Sequence, residues 1–224
     1  MSDLMISQGV TDKGWILGRD SLGQRVSYPA FLKVKELYKA EARTYFSIME
    51  GPYKDEKASL LSVVGGTPSL GKANHDTAGM MYVKFDKASV EEVSDAEGTK
   101  WPMCVGKLWL DWNPDGSGWG LAASLLRALS IRVLTWKDNP APKGWTEIQL
   151  PDFPHDKGLP YIDKSAYATT WFRLGREGDR YLHAGRISAG CLTVDPLGWT
   201  RVYSYLIRRR KNEYSVGAVH VDGL

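Results

Sequence analysis

Cysteine is nearly missing from this sequence: Cys104 and Cys191 are the only two in 224 residues. Two cysteines build no disulfide framework, so the fold must rest on apolar burial, which a chain of this length supplies. No window approaches the roughly 18 consecutive apolar residues of a membrane-spanning helix, so no membrane span is expected. The opening residues, Met1-Ser2-Asp3-Leu4-Met5-Ile6-Ser7, hold neither a basic n-region nor an apolar stretch of signal-peptide length. Export through the Sec route is therefore not expected. Charge of one sign is also scarce. The net charge is +3 and the isoelectric point near 8.7, far from the strongly basic balance of a nucleic-acid binder. Only four histidines accompany the two cysteines, and no third and fourth ligand stand at a zinc-site spacing, so no metal is expected. Internal repeats and low-complexity linkers are absent, which favours a single domain over residues 1–224.

Aromatic residues are plentiful, with nine Trp and eleven Tyr. They favour strands and also line grooves that hold extended ligands. Several short runs alternate apolar and polar residues as half-buried strands do: Met81, Val83 and Phe85; Leu108, Leu110 and Trp112; Ile131, Val133 and Thr135; Val219 and Val221. Helical spacing is rarer. Phe31, Leu32, Val34 and Leu37 predict a helix over Pro29–Lys39. The Ala/Leu-rich stretch Leu121–Leu129 predicts a second. Val202, Tyr203, Leu206 and Ile207 predict a third over Trp199–Arg210. The expected fold is mainly β with a few helices, of the α+β class.

Cys104 lies between apolar neighbours and reads as a small buried hydrophobe. Gly65–Gly71 is glycine-rich but lacks the Lys-Ser/Thr ending of a phosphate loop, and reads as a flexible surface loop. The Pro-rich Asp138–Gly144 reads as a connector between strands. Arg208-Arg209-Arg210-Lys211 closes the last predicted helix. It suits a solvated helix C-terminus, or attraction to an anionic polymer.

The segment Tyr181–Val194 carries the chemistry. His183 follows the strand-like Tyr181 and Leu182, a short glycine-containing turn follows, and Cys191 opens a second apolar run. A hairpin-like unit of this kind brings imidazole and thiol side by side. A free thiol is only a few per cent thiolate at neutral pH, and an adjacent imidazole can take its proton and hold the pair as ions. Gly190 permits a tight bend, from which the amides of Gly190 and Cys191 can face an oxyanion. One His and one Cys eight positions apart also arise by chance, and residue types alone leave both readings open.

The pattern His-x-Gly-x-x-Ser-x-Gly-Cys, here His183, Gly185, Ser188, Gly190 and Cys191, resembles the active-site signature of the L,D-transpeptidase (YkuD-type) superfamily. It is most similar to the compact form in L,D-transpeptidase-like effectors of type VI secretion systems. Leu192-Thr193-Val194 after the cysteine and Thr170–Leu174 before the histidine fit the same pattern. The resemblance covers residues 160 to 200. The sequence departs from housekeeping members at Ala189, where they carry a second histidine, and at Leu192 and Thr193, where they carry Arg or Asn.

The resemblance implies a YkuD-like β-sandwich or barrel catalytic domain; residues 1–100 lie outside the resemblance and are open as a lid, an N-terminal elaboration or part of the core. It implies an L,D-transpeptidase or L,D-carboxypeptidase that cleaves peptidoglycan stem peptides through an acyl-thioester, without a cofactor. Cys191 is the implied nucleophile and His183 its base. Ser188 would position His183 or the loop, and Gly190 would shape the bend. Arg173, Arg186 and Gly185 are candidates for substrate contact. Trp171 and Tyr181 are expected to pack, and His75, His155 and His220 to be ordinary histidines. The further expectations are an antibacterial secreted effector acting in a rival's periplasm, with an immunity protein as partner. The alternatives are a papain-like or NlpC/P60-type cysteine peptidase or amidase, and a non-catalytic cell-wall-binding module. The first places its cysteine ahead of its histidine, the reverse of the order here.

Overall fold

In the computed structural model half the chain, 50%, is strand and 9% helical, with a nearly closed, barrel-like sheet. The mainly β expectation holds. The structure describes residues 4–6, 13–72, 74–95, 97–112, 130–187 and 189–224. The stretch Leu121–Leu129 lies outside them.

The strands sort into two large sheets. The first runs through β1 (Leu4–Ile6), β2 (Trp15–Asp20), β3 (Arg25–Pro29), β4 (Lys33–Ala40), β5 (Arg43–Ile48) and β6 (Lys57–Leu61) to β9 (Leu70–Lys72). Its spatial order is β3-β2-β6-β5-β4-β1-β9, and every pairing is antiparallel. Strict alternation drives it: Thr44, Phe46 and Ile48 of β5 point inward while Arg43, Tyr45 and Ser47 do not. Ile6, Ile16, Tyr28, Leu32, Val34, Phe46 and Leu60 form a core of its own.

The helix predicted over Pro29–Lys39 is not there. Those residues end β3 and form β4, with Val34 paired to Leu4 on one side and Ile48 on the other. The apolar spacing matched a helical face by coincidence: Phe31 adopts a left-handed φ of 59° that breaks any helix, and a register shift between Glu36 and Tyr38 leaves Leu37 outside. The glycine-rich stretch is likewise no plain loop. Val63–Val64 (β7) and Thr67–Pro68 (β8) pair around Gly65-Gly66, whose φ values of 56° and 81° suit a tight hairpin turn.

The second sheet comprises β10 (Gly79–Ser94), β11 (Lys100–Leu110), β12 (Ile131–Trp136), β13 (Gly144–Gln149), β14 (Phe172–Arg173), β15 (Tyr181–Ala184), β16 (Leu192–Val194) and β17 (Ser215–Asp222). Its order is β13-β17-β10-β11-β12-β16-β15-β14. The alternating segments read from the sequence fall in β10, β11, β12 and β17, and Asp138–Gly144 joins β12 to β13. The division between the sheets falls between Lys72 and Gly79, so residues 1–100 contribute strands to both. Beneath the second sheet packs the helix Pro196–Leu206. Asp195 caps it by accepting from the Leu197 amide, and Trp199, Val202, Tyr203 and Leu206 point into the core.

The basic cluster after this helix is solvated only in part: Arg208 and Lys211 are exposed, while Arg209 and Arg210 are half-buried. The Arg210 guanidinium grips both oxygens of Glu50, at 2.7 and 2.9 Å, and also donates to the Phe31 carbonyl at 2.9 Å. The two side chains are only 9% and 3% exposed. Arg208 lies over the Phe31 ring, Arg209 over Tyr205, and Lys211 pairs with Glu147. Within the same joint His75 Nε2 donates to the Phe31 carbonyl at 2.8 Å. Burial, then the neighbouring Arg210 charge, holds His75 below its ordinary value. These contacts lock the first sheet to the end of the second.

Candidate active site

The site grows from the pairing of β15 with β16. They run parallel, with Leu182 opposite Leu192, His183 opposite Thr193 and Ala184 opposite Val194. The expected hairpin-like unit is thus a parallel pair, and residues 185–191 carry the chain back across it. Because side chains alternate, one face of the pair presents Leu182, Ala184, Leu192 and Val194 to the main core. The opposite face presents Tyr181, His183, Cys191 and Thr193. Apolar burial on one side thus fixes which groups face the other.

Of these, Tyr181, His183 and Cys191 line a cleft of about 790 Å³ whose walls also include His155, Lys157 and Trp171. The sulfur accepts from the Tyr181 amide at 3.3 Å, and Cys191 packs with Trp171 and Tyr181. His183 Nδ1 donates to the Ala184 carbonyl at 2.9 Å, which fixes the tautomer. Nε2 is then the acceptor and faces the Thr193 hydroxyl at 3.3 Å. The imidazole stacks on Trp171 with centroids 4.2 Å apart. Burial holds His183 down to about 4, with the charges of His155 and Lys157 adding to it and the bond to Ala184 opposing. At neutral pH the ring is a neutral imidazole with a lone pair on Nε2, and not the imidazolium of a resting ion pair.

Gly190 precedes the sulfur at a φ of 78°, and a Cβ there would lie 3.2 Å from the Arg180 guanidinium carbon. Arg180 is itself held by the Pro140 carbonyl and Asn139. Gly185 lines the cleft, its amide donating to the Val194 carbonyl at 3.0 Å. Ser188 lies outside the described residues. The two arginines singled out for substrate contact are not brought to the cleft. Arg173 donates to the Gly178 carbonyl and lines a separate hollow of about 250 Å³ beside Asp152 and Arg176. Arg186 is exposed on the turn and does not line the cleft. Cys104, by contrast, is a core residue of β11, and burial pushes its thiol up.

Sequence reasoning missed the second half of this site. His155 Nε2 donates to Asp152 Oδ1 at 3.0 Å, and the Tyr181 hydroxyl donates to Asp152 Oδ2 at 2.9 Å. Tyr53, from the turn between β5 and β6, donates to the Asp152 carbonyl. Burial alone would raise the Asp152 carboxyl, but the bonds from His155, Tyr181 and the Phe153 amide outweigh it and keep the group below its ordinary value. His155 stacks on Trp171 at 4.2 Å, so Trp171 is faced by His155 and by His183. Trp171 and Tyr181 therefore both pack and wall the cleft. A trace was present in Pro151-Asp152-Phe153-Pro154-His155, where an acid and an imidazole sit three apart in a proline-bracketed turn.

Among the described residues no group of three His, Cys, Asp or Glu side chains could hold a metal ion, and no helix is long and apolar enough to cross a membrane. Comparison of the chain with protein-family models, curated proteins and solved structures gave no match.

Proposed function

We propose that this chain is a cysteine acyltransferase of the L,D-transpeptidase type, acting on peptidoglycan stem peptides. One observation carries the reading: the parallel β15–β16 pair sets an amide-supported sulfur and a tautomer-fixed imidazole on one face at the floor of a single cleft. These are the parts nucleophilic acyl transfer requires. The signature from His183 to Cys191 supplies the substrate class.

In this reading Cys191 Sγ attacks the carbonyl that joins the third stem residue to the terminal D-Ala. Its proton passes to His183 Nε2, by way of Thr193 or after a small ring movement. The amides of Gly190 and Cys191 face the developing oxyanion. The C–N bond breaks, D-Ala leaves with the proton from His183, and an acyl-thioester remains. Water then gives an L,D-carboxypeptidase product, and an amine gives a cross-link or an exchanged D-amino acid. No metal or organic cofactor enters this chemistry. Delivery into a rival's periplasm and neutralisation by an immunity protein belong to the same reading, through the resemblance to secreted effectors.

The test is mass spectrometry of purified tetrapeptide muropeptides incubated with the protein, with and without a D-amino acid. Tripeptide or exchanged products are expected from the wild type and none from Cys191→Ala. A folded wild-type protein that leaves the muropeptides intact, or a Cys191→Ala variant that still converts them, overturns the assignment. Expression directed to the periplasm of a test bacterium is expected to stop growth. Toxicity confined to cytoplasmic expression would move the target away from the wall.

A further inference from the structure

We infer that His155, held by Asp152, is the second acid–base group of this cleft and serves the deacylation half of the reaction. The inference rests on the proposed acyl-thioester at Cys191 and deepens it.

His183 is well placed for only one task. Its Nδ1 is committed to the Ala184 carbonyl and its Nε2 faces Thr193. A ring so buried holds a proton briefly, which suits passage from thiol to leaving amine but not activation of a water molecule near neutral pH. His155 is arranged differently. Its Nε2–H is spent on the Asp152 carboxylate, which fixes the tautomer and leaves the Nδ1 lone pair with no hydrogen-bond donor among the described residues. The ring lies between Phe153, at 4.4 Å, and Trp171, at 4.2 Å, so it cannot turn away. It meets Tyr181 edge-on at 4.7 Å, and Tyr181 in turn supplies the amide on the sulfur. His155 and Cys191 therefore flank the same Trp171–Tyr181 wall and open on the same cleft. A carboxylate-oriented imidazole facing a nucleophile's cleft is the arrangement that general-base catalysis needs.

The step balances without any further reagent. Nδ1 of His155 takes a proton from water, directly or through one intervening water, as the water oxygen bonds to the thioester carbon. The C–S bond breaks and its electron pair returns to Sγ. The proton then passes to sulfur, restoring the thiol and releasing the carboxylic acid. With an amine acceptor, the same nitrogen takes the amine's proton.

The test needs no natural substrate. The protein is acetylated with p-nitrophenyl acetate and desalted, and loss of the acetyl adduct on Cys191 is followed by intact-protein mass spectrometry. Cys191→Ala measures acetylation elsewhere. His155→Ala is expected to take up the acetyl group as the wild type does but to shed it about 100-fold more slowly, at the low end of general-base effects. Free imidazole should restore shedding in His155→Ala, which leaves a ring-sized slot between Phe153 and Trp171, and not in His155→Gln, which fills it. Asp152→Asn keeps the ring stack and is expected to slow shedding about 10-fold, within the range for lost orienting contacts. Shedding at the wild-type rate by His155→Ala, or equal rescue of the Ala and Gln variants, overturns the inference alone. So does loss of acetyl uptake in His155→Ala. A Cys191→Ala protein that gains the same adduct, or a wild type that gains none, overturns the acyl-thioester chemistry with it.

Discussion

The two cysteines are almost equally hidden, Cys104 at 7% exposure and Cys191 at 6%, yet their surroundings differ in every respect that governs thiol chemistry. Cys104 sits mid-strand in β11, paired with Val90 and Thr135 in the ladder and turned into the main apolar core. Cys191 sits where the chain bends into β16, on the face turned away from that core, with an amide on its sulfur and a cleft above it. Burial fraction therefore says nothing about which thiol can react. What separates them is whether the buried side of the sulfur meets hydrocarbon or a hydrogen-bond donor.

The comparison breaks most sharply at activity. Cys191→Ala is expected to lower turnover on the order of 10⁴-fold or more, while Cys104→Ala leaves turnover unchanged and costs about 1 kcal/mol of stability. Muropeptide kinetics and urea melts of both variants read this out. A comparable loss of turnover in both would end the distinction.

The next effect concerns the imidazole that only one thiol possesses. His183 titrates near its ordinary 6.5 when unfolded and about 4 when folded, so the folded state binds fewer protons over that interval. Stability is then whole above pH 6.5 and is lost as the pH falls towards 4, by on the order of 3 kcal/mol. Urea unfolding across this range should show the slope, and His183→Gln should flatten it. An unchanged slope in that variant would mean the ring is not protected from protons. Alkylation sharpens the comparison further. Iodoacetamide is expected to modify Cys191 about 100-fold faster than Cys104 in the native protein and to lose that selectivity in denaturant. Peptide mapping by mass spectrometry gives the two rates. The smallest effect is at the bend. Gly190→Ala forces a side chain into a left-handed φ of 78° beside Arg180, and is expected to cost about 1–2 kcal/mol and to slow Cys191 alkylation. A variant as stable and as reactive as the wild type would show the bend to be dispensable.

Much of this was legible in the sequence where the relevant contacts are local. Alternation revealed β10 and β11, and it shows in Ile131–Val133 of β12 and Val219–Val221 of β17, although both of those strands are buried on both faces over part of their length. His183 and Cys191 could be paired because one short segment carries both. The failures are non-local. The apolar spacing in Pro29–Lys39 fits a helix as well as a bulged strand, and only the neighbours β1 and β5 decide between them. His155 reaches the cleft, with Asp152 bonded to it, through the topology of the fold, Tyr53 of the β5–β6 turn braces the loop, and no spacing rule links residue 53 to residue 152. Arg173 and Arg186 carried the right charge, but a bond to Gly178 and an outward turn take them elsewhere.

The Glu50–Arg210 clasp has a consequence for how the molecule holds together. Glu50 follows β5 of the first sheet, Arg210 precedes β17 of the second, and both side chains are nearly sealed from water, so removing either one by substitution leaves the other buried and unpaired. Losing one partner of such a pair costs about 3–5 kcal/mol, a large share of a typical domain's stability. Substitution of Glu50 or Arg210 therefore weakens the joint between two halves that keep separate cores. A fragment cut at the junction near residue 75 would inherit an orphaned cation at its base.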